Sequence, residues 1–192
     1  MPHSPYRDRV IPPSVPQLRV IATGTLLAVL LSLTACTSTA DPTPTPTATP
    51  LFPSKKEAFA AAEATFEQYT DATNATDLTD THTFDGVFYW LADSAESTAR
   101  KNYSGYYAAG ITRSGESKFD SFQPVSSEGD TVTARVCLDV SAVSLTNPDG
   151  TSAVPVDRPP RQPVQVLFVP ASTQTGLAIS SITTSVADTC ER

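Results

Sequence analysis

The chain has 192 residues, of which 40% are hydrophobic and 17% charged, with 17 prolines, 3 cysteines and a formal charge of −7. Its acidity argues against nucleic acid as a partner, because phosphate binding needs clustered lysine and arginine. It argues equally against electrostatic adhesion to anionic headgroups, so any membrane attachment has to be covalent or hydrophobic.

In chain order, Arg7, Arg9 and Arg19 precede an uncharged run, Val20–Ala35. A positive segment followed by a short apolar one is the pattern of a secretory leader. The run falls short of the roughly 20 residues of a comfortable membrane-spanning helix. It closes on Leu33-Thr34-Ala35-Cys36, which resembles the bacterial lipobox. That resemblance implies a diacylglyceryl group on the Cys36 sulfur and removal of residues 1–35. It places the protein on the outer face of the cell membrane, with the lipid bilayer as its first partner and the covalent lipid as its only cofactor-like group. One acyl chain holds weakly and two hold stably. Pairing Cys36 with Cys137 or Cys190 instead would strand the third cysteine.

The next segment, up to residue 53, has proline at 42, 44, 46, 50 and 53. Proline removes the backbone donor and fixes φ, so neither helix nor sheet can form. Residues 36–53 are therefore predicted to be the lipidated cysteine and an extended linker, reaching up to about 50 Å at roughly 3.1 Å per residue. Its threonines are candidate O-glycosylation positions, although a bare spacer is the simpler reading.

Residues 54–192 are predicted to form one domain. Ser54 and Glu57 have capping-box spacing. Phe59, Ala62, Phe66, Tyr69 and Thr73 then step by three and four, which marks the apolar face of a helix. The segment "VFYWLA" predicts a short helix packed into the core. Asp93 and Glu96 repeat the capping spacing ahead of a second long helix, whose face carries Ala95, Ala99, Tyr103, Tyr106 and Tyr107. Gly110 is placed to end it in the left-handed conformation.

Beyond Gly110 the period changes to two. Residues 117–125 make a weak strand. Val132, Ala134, Val136, Leu138, Val140 and Ala142 alternate cleanly, as do Val164, Val166 and Phe168. Leu177 and Ile179 slip to Ile182 and Val186, which predicts a bulge near Ser180 and Ser181. Asn147-Pro148-Asp149-Gly150 is a turn signal.

Helices first and an antiparallel sheet of about four strands afterwards is an α+β order. With the "ARVCLDVS" strand, that order resembles the nuclear-transport-factor-2-like fold of small actinobacterial lipoproteins, in which a bent sheet wraps helices into a cone. A cystatin-like helix on a sheet is the neighbouring alternative. In the oxidising compartment that the leader implies, Cys137 and Cys190 are expected to form one disulfide. A metal pair is disfavoured, since there is no CxxC and a soft site needs more ligands.

The inventory for chemistry is thin. His82, near Asp80 and Asp85, could do acid–base work but reads more simply as a loop histidine beside capping carboxylates. No nucleophile or phosphate-loop motif occurs, so no catalytic residue and no metal ligand is assigned. Trp90, Tyr103, Tyr106 and Tyr107, with His82, are candidate pocket-lining residues, against the commoner role of aromatics as core filling. Enzymes of the resembled fold, polyketide cyclases and ketosteroid isomerases, project Asp, His and Tyr into the cone. Asp85, Asp120 and Asp139 are candidates for that place only by default, and a cross-strand ion pair accounts for Asp139 more simply.

Three roles remain for the domain. The favoured one is a non-enzymatic module that binds a small ligand or an envelope protein. The alternative is a tethered isomerase, cyclase or dehydratase, which would need a deep pocket and a buried carboxylate of raised pKa. The third is a spacer or dimerisation unit.

Overall fold

The computed structural model describes residues 49–185 and Cys190. The leader, Cys36, most of the linker and Val186 lie outside the described residues.

Helix α1 spans Lys55–Asn74. Ser54 sits in extended backbone ahead of it, and its Oγ accepts the Glu57 N–H at 3.2 Å, which satisfies one orphan donor of the first turn. Ala58, Ala62, Thr65, Phe66 and Thr70 are the buried residues. The stripe is therefore rotated slightly from the predicted one, toward Thr65. That polar residue can be buried because its hydroxyl lies 2.7 Å from Ala61 O and 2.6 Å from Thr175 Oγ1. Phe52, which the sequence places in the linker, packs against the core. The N–H of Leu51 donates to Asp130 Oδ1 at 2.7 Å, so the last linker residues are docked on the domain.

After a 3-10 turn at Thr81–Thr83 comes α2, Asp85–Phe88. The predicted aromatic helix is only half formed. From Leu91 the chain straightens and adds a parallel bridge, Leu91 to Ile179. The Ala92 N–H donates to Ile179 O at 2.8 Å, and the Ile179 N–H donates to Trp90 O at 2.9 Å.

Helix α3 spans Asp93–Ala108. Its predicted capping box does not form. Asp93 has φ +48°, and its carboxylate accepts the Ser180 hydroxyl at 2.7 Å instead of an α3 amide. Two registers compete for one carboxylate here, and the tertiary partner wins. The helix ends as predicted. With Gly110 at φ +66°, its N–H donates to Tyr107 O and the Ile111 N–H to Tyr106 O, each at 3.0 Å. This paired arrangement closes two orphan carbonyls.

The strands are β1 (Thr112–Ser114), β2 (Lys118–Glu128), β3 (Thr131–Asp139), β4 (Ser144–Thr146), β5 (Arg161–Pro170) and β6 (Leu177–Thr184). The main sheet is a curved antiparallel sheet of four strands in the order β2-β3-β5-β6. The short β1 pairs with β4 separately. The weak strand of the sequence is thus an edge strand of 11 residues. Its alternation is blurred by two register shifts and by Ser121 at φ +57°, which bend it over the helices. The predicted bulge in β6 is at Ser180: Leu167 faces Ser181 while Phe168 faces Ile179.

Val132, Ala134, Val136, Val166, Phe168, Leu177 and Ile179 line the inner face and meet Ala62 and Phe66 of α1. Cys137 points to the opposite face, yet is fully buried. It forms a disulfide with Cys190, Cα–Cα 5.1 Å, across a sequence separation of 53.

Candidate binding clefts around Tyr69

The inner face is filled, and two small clefts remain against one side chain, Tyr69. The first, about 180 Å³, lies between α3 and β6. Tyr69, Leu91, Ala95, Ala99 and Ile182 give it an apolar lining, and exposed Ser94, Thr98, Asn102 and Thr183 form its edge. The second, about 140 Å³, lies between the end of α1 and the end of β3. Leu138, Val140 and Val143 are its apolar wall, and Thr70, Thr73, Arg113 and Ser117 are the polar residues. Neither lining contains a carboxylate. A larger groove of about 460 Å³ lies where the linker meets the β2–β3 turn.

Tyr69 is placed by the α1 ladder, with its ring 5.8 Å from that of Phe66. Burial pushes its phenol up to about 12, with the neighbouring Tyr103 phenol adding to the rise and the Thr73 hydroxyl offsetting part of it. Below that range Tyr69 stays neutral, so its O–H remains a donor. Burial also raises the Tyr103 phenol, against the pull of Thr73, Arg113 and Thr76.

One side chain locks the end of α1 to the loop beside the second cleft. Asn74 Oδ1 accepts from Arg113 Nη2 at 2.8 Å and from the Ser117 N–H and hydroxyl at 2.9 Å each. Asn74 Nδ2 donates to Ser117 O at 2.8 Å. Asn74→Ala is expected to cost about 2 kcal/mol, because it leaves the buried Ser117 groups without partners. The shift of the urea midpoint at unchanged slope measures it. Gly115 is the other fixed point. At φ +74°, a Cβ there would come within 1.9 Å of Ala142 O, so only glycine lets β1 pass so close to the turn that walls the cleft.

The residues named from the sequence are not gathered into one pocket. Trp90 is 6% exposed, with its ring edge-on to Tyr89. Tyr103 packs among Phe84, Phe88 and Tyr106, and Tyr106 belongs to the same small cluster over Leu78 and Ile111. Tyr107 is 51% exposed on α3. His82 is exposed in the 3-10 turn, its N–H bonded to the capping Asp80 at 3.0 Å. Asp85 is exposed in the first turn of α2.

Asp120 and Asp139 do not project into the helix-facing side. Both are bound by Arg161, at 2.9 and 3.2 Å. The cross-strand ion pair anticipated for Asp139 is thus made by Arg161, its register partner on β5. Hydrogen bonds from the Ser141 hydroxyl and N–H, then Arg161, hold the Asp139 carboxyl below its usual range. Among the described residues no group of His, Cys, Asp and Glu is arranged to hold a metal ion. Sequence reasoning missed Tyr69 as a site residue, because its place in the α1 period marked it as core, and missed Arg113 because three-residue strands carry no periodic signal.

No protein-family model matches the chain, and neither does any curated protein. Solved structures are similar only in layout. One is a provisionally assigned aromatic ring hydroxylase from Novosphingobium aromaticivorans, 13% identical, covering 69% of this chain and 96% of its own, with a TM-score of 0.45. The VirB8 protein of Agrobacterium tumefaciens is 13% identical over 70% of this chain and 96% of its own, TM-score 0.41. A provisionally assigned polyketide cyclase of Xanthomonas campestris pv. campestris is 12% identical over 66% of this chain and 90% of its own, TM-score 0.34. At such identities no activity passes from them to this chain.

Proposed function

We propose that the chain is a lipid-anchored extracytoplasmic protein, tethered through a diacylglyceryl group on Cys36, whose α+β domain binds a small ligand or an envelope partner. The leader and the sequence Leu33-Thr34-Ala35-Cys36 support the tether. The Cys137–Cys190 disulfide fits an oxidising compartment.

The observation that carries the binding reading is the pair of clefts against Tyr69, each combining an apolar wall with polar side chains, on a scale suited to a compact ligand. The alternative, an isomerase, cyclase or dehydratase, needs a base beside its substrate. The carboxylates named for that role lie elsewhere: Asp85 in the first turn of α2, Asp120 and Asp139 bound to Arg161.

Metabolic labelling with a palmitate analogue tests the tether. Wild type is expected to carry label and to fractionate with membranes, and Cys36→Ala to lose both. Unchanged labelling and fractionation in the variant would sink it.

A further inference from the structure

We propose that the cleft between the end of α1 and the end of β3 takes a compact monocarboxylate with an apolar body. This rests on the binding reading above and names its site and ligand class.

Size sets the first limit. At about 140 Å³, against about 30 Å³ of liquid volume per water, the cleft suits a body of single-ring size. The wall of Leu138, Val140 and Val143 makes that body apolar.

Charge sets the second. Arg113 is the one charged residue in the lining. It is half-buried, and the acceptors it uses are neutral: Thr73 O at 3.1 Å, Asn74 O at 3.4 Å and Asn74 Oδ1 at 2.8 Å. Those bonds fix the guanidinium at the carbonyl end of α1, and no carboxylate pairs with it among the described residues. Behind the wall, Arg158 is held in the same way, its Nη2 donating to Val140 O at 3.0 Å and Val143 O at 2.8 Å. Arg113 is thus an immobilised cation in the lining of an apolar cleft, and a guanidinium already fixed in place leaves little ordering cost to the binding of an anion.

The lining hydroxyls agree. Thr70 and Thr73 donate to their own helix at Phe66 O and Tyr69 O, 2.8 and 2.9 Å. Their protons are already committed, which leaves the Arg113 guanidinium, with the neutral Tyr69 phenol, to answer a negative charge. The adjoining groove shares Thr70 and Ser117 and carries Glu67, Asp71 and Glu116, with Lys118. Those carboxylates repel a second negative charge, so a monoanion fits where a dicarboxylate or phosphate does not.

The test compares benzoate, neutral benzamide and dianionic phthalate on the unaltered full chain in detergent, followed by amide shifts in nitrogen-15 spectra. Benzoate is expected to bind at least about tenfold tighter than either competitor, as charge-assisted recognition requires. Its shifts should centre on residues 112–117 and 138–143 and weaken with added salt. Val143→Phe, which fills the cleft and leaves Arg113 in place, should abolish them. Equal affinity for benzoate and benzamide, tighter binding of phthalate, or shifts confined to other elements would each overturn the proposal. Loss of labelling in Cys36→Ala is read independently of this titration, so the ligand class and the tether can fail separately.

Discussion

Phe66→Ala is expected to cost the domain about 3–5 kcal/mol, a large share of the stability of a chain this size. Phe66 is 0% exposed in the middle of α1. Its ring meets Phe119 edge-on at 5.0 Å and Tyr69 at 5.8 Å, joining the helix to the curved edge strand β2 and to the clefts. Truncation removes the buried ring and leaves a void between elements that cannot collapse independently, because Asn74 also ties the end of α1 to Arg113 and Ser117. Phe66→Leu keeps most of the volume and is expected to cost less, about 1–1.5 kcal/mol. Urea unfolding followed by circular dichroism measures both. A cost below about 1 kcal/mol for the alanine variant would mean that α1 does not anchor the sheet as described.

How far the sequence carries depends on the physical range of each signal. Elements whose burial repeats along the chain are legible. The α1 stripe, the inward valines of β3 and β5 and the slip at Ser180 all follow from local period. Gly110 is legible too, since a left-handed helix end is a property of a few adjacent residues.

What fails is decided across the fold. Asp93 has the spacing of a cap but gives its carboxylate to Ser180, 87 positions away. Leu91 and Ala92 leave the predicted helix and extend, because the open edge of β6 offers hydrogen bonds to Ile179. The site follows the same rule. A tyrosine count points to the α3 cluster, whereas the two clefts are set by a core tyrosine of α1 and by an arginine on a strand too short to predict.

Arg135 illustrates a cost that no pattern exposes. Its Nε is buried on the outer sheet face without a hydrogen-bond partner among the described residues, an arrangement that lowers stability. It stands beside Cys137, whose disulfide reaches over the same face.

Cys190→Ser should destabilise the domain by about 2–4 kcal/mol, since the cross-link closes a long loop and restricts the unfolded chain. The sequence separation is 53, and loop-closure entropy for that length comes to about 4 kcal/mol before native-state adjustments. The effect is large because the disulfide joins Cys190, beyond β6 in the chain, to β3, which lies between β2 and β5 in the sheet. Reducing the wild type is expected to lower its urea midpoint to that of Cys190→Ser, and the variant should not respond to reductant. A wild type indifferent to reductant would contradict the pairing. Thiol counting on the denatured chain then links the domain to the tether. With Cys36 capped as a thioether, no thiol should react before reduction and two after it, both from the Cys137–Cys190 pair. If Cys36 is instead a free cysteine, one thiol will react before any reductant is added.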